Sequence, residues 1–223
     1  MAPKKRALEQ SSEAADTSKK KKKNAKLVFV LGHGAGTNSS HPKMQGWKKK
    51  LEETFADEGV SVVMVDFPRP FNKMNKMVLA HKAAVEAASK EADRLFLIGT
   101  SMGSRVAVHL CNDQPEVRSK VHGMIALGYP LISVSKELRD QPLKALPSDA
   151  PPLLFITGTK DHMSPLDQLE ATRKKMKGRT ELLSIDGGDH GLTVKGKGKQ
   201  EAADKQMLDK IREFVHSLQS GLS

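Results

Sequence analysis

Residues 95–103 read Leu-Phe-Leu-Ile-Gly-Thr-Ser-Met-Gly, an apolar run that ends in a turn of small residues around Ser101. The run at 95–98 predicts a strand that is buried on both faces, as in a parallel sheet. The turn matches G-x-S-x-G, and residues 104–111 predict the start of a helix. A strand, a sharp turn and a helix in this order would strain the backbone of Ser101 and make its hydroxyl project. We therefore predict that Ser101 is a nucleophile, the alternative being an ordinary turn serine.

Similar apolar runs lie on both sides of this segment and alternate with helical patterns. The predicted strands are 27–31, 60–67, 95–98, 121–127, 152–157 and 181–185. Helical spacing is found at 44–59, 75–93, 165–176 and 201–218. This alternation predicts an α/β fold, a doubly wound, mostly parallel sheet of about six or more strands with helices on both faces. Because ligands bind such sheets at the carboxyl ends of strands, residues that follow strands are candidates for the functional site.

A serine hydroxyl is a weak nucleophile unless an oriented base takes its proton. The chain has eight histidines, and His190 is the best placed of them. It lies in the loop GGDHG at 187–191, which follows the last predicted strand and precedes the closing helix. We predict that His190 is the base, and the alternative is a histidine in a surface loop.

Asp161 is the best candidate for the acid that orients this base. It follows the predicted strand 152–157 in the loop GTKD, at the carboxyl edge of the sheet. The order Ser101, Asp161, His190 along the chain is the one expected of this fold. Asp186 and Asp189 are competing acids, but their closeness to the histidine in sequence favours a role in shaping the loop.

The glycine-rich segment Gly-His-Gly-Ala-Gly at 32–36 follows the first predicted strand. Acyl transfer places negative charge on a carbonyl oxygen, and each backbone N–H donor there contributes about 3 kcal/mol. One donor is expected from the residue after the nucleophile, Met102, and another from an early glycine-rich loop. For the second donor of this oxyanion hole we predict Ala35, with Gly36 as the other choice and His33 holding the loop. The segment lacks the G-K-[ST] and G-x-G-x-x-G patterns of phosphate-binding loops.

Much of the net charge of +11 lies at the start of the chain, because residues 1–26 hold nine of the basic and three of the acidic side chains. We predict a disordered basic tail at 1–25 and one folded domain at 26–223. The clusters at 4–6 and 19–23 have the spacing of a bipartite nuclear-import signal, which would bind an import receptor. The alternative is a solvated charge run. Nucleic-acid binding by this tail would be weak and salt-dependent.

The remaining features limit the class of protein. The single cysteine, Cys111, excludes an internal disulfide and is expected to be a buried residue in a protein of a reducing compartment. The sequence has no apolar run near the length of a membrane span and no signal-peptide pattern. We expect a nuclear or cytoplasmic location, or both. We expect neither a cofactor nor a metal.

Several segments together resemble the α/β-hydrolase superfamily over residues 27–218. They are LGHGAG (31–36), VDFP (65–68), GTSMGSR (99–105), LGYPL (127–131), FITGTKD (155–161) and GGDHGL (187–192). More narrowly, the chain is similar to the group of testis-expressed protein thirty and the third regulatory subunit of the NSL histone-acetyltransferase complex. The superfamily resemblance implies hydrolysis of an ester, thioester or amide by Ser101, Asp161 and His190. The narrower group implies a protein partner as well.

Two functions follow from these patterns. The first is a serine hydrolase that cleaves a small carboxylic ester or thioester through an acyl-enzyme on Ser101. The alternative is a non-catalytic interaction module of this fold, in a nuclear complex. Residues 131–150 are too few for a large lid, so we expect an open, shallow site. The aromatic content of 4% argues against a wide lipid-binding pocket. Tyr129, Phe67, Phe71 and Met102 are expected either to line this site or to belong to the core.

Overall fold

Residues 26–218 are described by the computed structural model, and six parallel strands make up their sheet. The strands are β1 (Leu27–Gly32), β2 (Ser61–Val65), β3 (Arg94–Thr100), β4 (Gly123–Leu127), β5 (Leu153–Gly158) and β6 (Thr180–Ile185). Their order across the sheet is β2-β1-β3-β4-β5-β6, with every neighbouring pair parallel. The predicted doubly wound parallel sheet is confirmed.

Helices connect the strands as the sequence patterns predict, with two short additions. The helices are α1 (Pro42–Thr54), α2 (Met74–Ala88), α3 (Met102–Asp113), α4 (Pro115–Arg118), α5 (Gln141–Ala145), α6 (Leu166–Arg173) and α7 (Lys199–Ser217). A short 3-10 turn at Ala56–Glu58 follows α1 and ends at Gly59, whose φ of 63° is in the left-handed region that favours glycine. The short helices α4 and α5 were not predicted, because four or five residues are too few to show helical periodicity.

The core is divided between the two faces of the sheet. Along β1, Val28 and Val30 pack on one face while Phe29 and Leu31 pack on the other, as the two-residue period of a strand requires. Helices α1 and α7 cover the face with Phe29, and the buried residues of α2 to α6 belong to the other. Because both faces are covered, the central strands are apolar at nearly every position.

The chain changes direction across the sheet between β1 and β3. The connection through α1 leads from β1 to β2 at one edge, and the connection through α2 leads back past β1 to β3. At such a switch point the loops that follow the two central strands separate and leave a crevice. The turn after β1 stays close to the start of α3, because a Cβ at Gly34 would lie 3.5 Å from the Cβ of Ser101. This crevice contains the candidate site.

Residues 131–150 contain only one isolated bridge, between Ile132 and Leu138, and the five-residue helix α5. No large lid therefore covers the crevice from this segment. Within residues 26–218, no helix is long and apolar enough to cross a membrane. The predicted basic tail at 1–25 lies outside the described residues, so its disorder and the predicted domain boundary stay predictions.

Candidate active site

Ser101 occupies a strained turn between β3 and α3. Its φ of 47° and ψ of −113° are rarely adopted by a residue with a side chain. The turn is possible only because its neighbours are glycines: a Cβ at Gly99 would lie 2.3 Å from the Ser104 nitrogen, and one at Gly103 would lie 2.4 Å from the Gly32 oxygen. Helix α3 therefore packs directly against the backbone of β1, and Ser101 lies at the edge of the crevice.

Ser101, His190 and Asp161 are joined by hydrogen bonds. The Ser101 Oγ is 2.8 Å from His190 Nε2, and His190 Nδ1 is 2.9 Å from Asp161 Oδ2 and 3.1 Å from Oδ1. The Asp161 side chain is fully buried, and its Oδ1 also accepts a bond from the Met163 N–H at 2.8 Å. A carboxylate held in this way accepts the Nδ1 proton of His190, so Nε2 is left to accept the proton of Ser101.

Neither of the competing acids bonds to His190. Asp189 Oδ1 instead accepts hydrogen bonds from the N–H groups of Gly191 and Thr193, at 2.8 and 2.9 Å. Asp186 accepts a long bond from the Thr159 hydroxyl, at 3.4 Å. Asp189 therefore shapes the loop around His190, while Asp186 contacts the loop that follows β5.

The turn after β1 is held by His33, which is buried. Its Nδ1 is 2.7 Å from the Gly34 oxygen, and its Nε2 is 3.0 Å from the Phe67 nitrogen. Since the Phe67 N–H can only donate, Nε2 is the acceptor and the ring is neutral with its proton on Nδ1. Thr37 also donates to the Gly34 oxygen, through both its N–H and its hydroxyl.

These contacts leave backbone donors unused beside Ser101. Among residues 26–218, the N–H groups of Ala35, Gly36 and Met102 have no hydrogen-bond acceptor. The structure thus keeps Ala35 and Met102 available as the predicted pair of donors, and Gly36 as the second choice. Their action on an oxyanion stays a prediction.

A cavity of about 360 Å³ lies next to Ser101 and His190. Its apolar lining consists of Met44, Trp47, Leu127, Val134, Met163 and Leu192, and Ala35 contributes to its wall. Tyr129, Phe67 and Met102 are buried in the core and do not line it, while Phe71 packs against the core. Of the two alternatives for these four residues, the core one is correct. Trp47 was missed as a lining residue, because its helical spacing in α1 indicates only a buried face.

Cys111 is not a second nucleophile for this site. Burial raises the pKa of the Cys111 thiol to about 12, so it stays protonated and inert. Within residues 26–218, no three histidine, cysteine or acidic side chains are grouped so as to hold a metal ion.

Residues 25–217 match the family model described as an alpha/beta hydrolase domain. The chain belongs to the α/β-hydrolase family. The match includes every strand of the sheet together with Ser101, Asp161 and His190. The narrower resemblance to the testis-expressed and NSL-complex group is a separate matter and stays a prediction.

A curated relative of this α/β-hydrolase is a 2-hydroxy-6-oxononadienedioate/2-hydroxy-6-oxononatrienedioate hydrolase from Pseudomonas sp.. It is 32% identical over 107 residues, which are 44% of this chain and 36% of the relative. The match therefore spans about a third of the relative's length.

Solved structures share the fold at low sequence identity. One was described with the metagenome-derived lipolytic enzymes LipS and LipT. It has a TM-score of 0.63 and 18% identity, and the match covers 87% of this chain and 95% of that one. An alpha-beta serine hydrolase homologue from Coxiella burnetii has a TM-score of 0.63 and 17% identity, over 82% and 84% of the two chains. A dienelactone hydrolase from Anabaena variabilis also has a TM-score of 0.63, with 16% identity over 84% and 86%. At these identities the likeness establishes the fold.

Proposed function

We propose that this α/β-hydrolase is a serine hydrolase that cleaves a small carboxylic ester or thioester through an acyl-enzyme on Ser101. The observation that carries the proposal is the hydrogen-bond series from Ser101 through His190 to the buried carboxylate of Asp161, at the edge of an open cavity. A strained serine, an oriented imidazole and a buried acid on three separate loops have no shared structural purpose that would bring them together. Activation of the Ser101 hydroxyl accounts for all three.

The chemistry follows from the distances. His190 Nε2 takes the proton as Ser101 Oγ forms a bond to the carbonyl carbon, and the carbonyl electron pair moves onto oxygen. We propose that the N–H groups of Ala35 and Met102 stabilise that oxyanion. The intermediate collapses to the acyl-enzyme as His190 protonates the departing alcohol or thiol. Water then enters, and its oxygen forms a bond to the acyl carbon as His190 takes its proton. The bond between the acyl carbon and Ser101 Oγ breaks, His190 returns the proton to Ser101, and the acid leaves.

The cavity supports a small acyl substrate. Its volume of about 360 Å³ and mostly apolar lining suit a short chain or a small ring. The segment 131–150 contributes only the exposed Val134 to its lining, so water has access to the acyl-enzyme for the second step. The curated relative carries the name of a hydrolase, which supports hydrolytic chemistry on this fold.

Labelling with a fluorophosphonate probe tests the proposal, because only an activated serine reacts with it. We expect the wild-type chain to be labelled, and the Ser101→Ala and His190→Ala variants to lose the label. Ser119→Ala is the matched control, since this serine is exposed at the end of α4 and its hydroxyl donates to the backbone oxygen of Glu116. A folded wild type that takes up no label would refute the hydrolase proposal. It would favour the alternative of a non-catalytic module in a nuclear complex.

The cellular location is a second, separate proposal, which rests on the basic clusters at 4–6 and 19–23. We infer that residues 1–25 direct the chain to the nucleus through an import receptor. A fluorescent fusion of residues 1–25 should enter the nucleus, and one with the lysines of 19–23 changed to alanine should not. Equal distribution of both fusions would contradict this signal.

A further inference from the structure

The lysines of helix α1 differ in one respect, their ion pairs. The helix has four lysines, and three of them have a carboxylate oxygen within 4 Å. These pairs are Lys48–Glu52 at 3.8 Å, Lys49–Glu53 at 3.7 Å and Lys50–Asp204 at 2.6 Å. Lys43 is the fourth, and no carboxylate oxygen of residues 26–218 lies within 4 Å of its Nζ. Its charge is therefore not paired directly within this part of the chain.

Lys43 lies at the mouth of the cavity that contains Ser101. The residue is exposed to solvent, and its Nζ donates one hydrogen bond, of 2.6 Å, to the carbonyl of Gly191, the residue after His190. An ammonium group has three N–H donors, so two are left for a ligand. Asp189, the acid whose charge acts on Lys43, uses its Oδ1 to accept hydrogen bonds from two N–H groups of the loop.

The surroundings of Lys43 favour a negative ligand. Although Lys43 as a whole is exposed, partial burial of its ammonium lowers its pKa; the negative charge of Asp189 opposes that shift and the positive charge of Lys50 adds to it. Lys43 is also the second residue of α1, whose first turn has no acidic side chain. The N-terminus of a helix is the positive end of its dipole, where an anion is stabilising and a cation is not. Of the other side chains that line the cavity, only His190 is ionisable.

We propose that Lys43 is a specificity-determining residue that selects esters or thioesters carrying a carboxylate. This inference rests on the proposed hydrolase function, because it assigns the substrate class of that site. The carboxylate would accept the two unused N–H donors of Lys43 while the ester carbonyl lies at Ser101. The charge can belong to the acyl group or to the leaving group, since both would pass the cavity mouth.

Two matched pairs of esters test the proposal at pH 7.5. In the first pair the charge is on the acyl group: 4-nitrophenyl hemiglutarate against 4-nitrophenyl methyl glutarate. In the second it is on the leaving group: 4-carboxyphenyl butyrate against its methyl ester. The variants are Lys43→Met, which removes the charge, and Lys43→Arg, which keeps it. Lys48→Met is the control, as a lysine of the same helix whose partner is Glu52.

We expect the wild type to prefer the anionic member of at least one pair in kcat/KM, mainly through KM. Lys43→Met should lower that preference by about fivefold, the worth of a partly exposed ion pair. Lys43→Arg and Lys48→Met should keep it, and added salt should weaken it. The pair that responds identifies which side of the ester carries the charge. Equal losses on the charged and neutral esters would overturn the proposal, because they would mean that Lys43 only holds the His190 loop through Gly191.

A binding measurement separates this inference from the hydrolase proposal. Glutarate is titrated calorimetrically into the Ser101→Ala chain, with and without Lys43→Met or Lys48→Met. If Lys43→Met weakens glutarate binding and Lys48→Met does not, the anion site is supported, even if no ester is turned over and no probe labels the wild type. If glutarate does not bind, or binds equally to all three proteins, the anion site is refuted while hydrolase activity on neutral esters can still be found.

Discussion

His81 makes the stability of this protein depend on pH. The residue lies on the buried face of α2, where its ring meets that of Phe67 edge-on at 5.8 Å between centroids. It is fully buried, and neither ring nitrogen has a hydrogen-bond partner among residues 26–218. Burial disfavours the charged ring and lowers the pKa of His81 from 6.5 to about 4.

The sign and size of the effect follow from this shift. The unfolded chain binds the proton of His81 more tightly than the folded chain does. The free energy of unfolding therefore keeps its full value above pH 6.5 and decreases as the pH falls towards 4. For pKa values of 6.5 and about 4, the linkage relation gives a loss of about 2 kcal/mol between pH 7.5 and pH 5.0. Below pH 4 the loss levels off at about 3 kcal/mol.

The measurement is the free energy of unfolding in urea, at both pH values, for the wild type and His81→Leu. Leucine keeps the apolar packing and cannot take up a proton, so the variant should lose about 2 kcal/mol less between pH 7.5 and 5.0. His109 and His122, whose pKa values burial also lowers, are present in both proteins and cancel. His162→Gln, at an exposed position, is the control and should behave as the wild type. If wild type and His81→Leu lose the same free energy to within about 0.5 kcal/mol, the inference from burial is wrong.

Three further predictions concern the turn around Ser101, the carboxylate of Asp161 and the thiol of Cys111. Gly103→Ala should destabilise the fold by about 1–3 kcal/mol in urea, because its Cβ would lie 2.4 Å from the Gly32 oxygen. Gly46→Ala, in open space on α1, should instead stabilise it by up to about 1 kcal/mol, and the opposite order would contradict the packing. Asp161→Asn should leave the circular dichroism spectrum unchanged and lower kcat by about 10⁴-fold, because the amide favours the wrong imidazole tautomer. A variant with the wild-type kcat would show that Asp161 has no part in the mechanism. Cys111 should react with a thiol reagent only at the rate of global unfolding, because it is buried and its pKa is raised to about 12; fast reaction in native buffer would show local opening.

Much of the fold can be predicted from short stretches of this sequence. A strand covered on both faces is apolar at nearly every position, and that pattern is visible in 27–31, 95–98 and 152–157 without knowledge of their neighbours. The turn at Ser101 is equally local, because the clash that requires Gly99 and Gly103 arises within a few residues and against the adjacent strand. The helix α5, by contrast, has one buried residue, Leu143, so its sequence alone shows no periodic pattern.

The sequence by itself therefore determined the class of fold, the candidate serine and the loops in which a base and an acid should lie. Only the tertiary structure decided which acid reaches His190, because Asp161 approaches from a different strand while Asp189 is held by its own loop. It also placed Lys43 against Gly191, which is 148 residues away along the chain. Local patterns report whether a residue is buried, and contacts between distant loops depend on how the strands are ordered in the sheet.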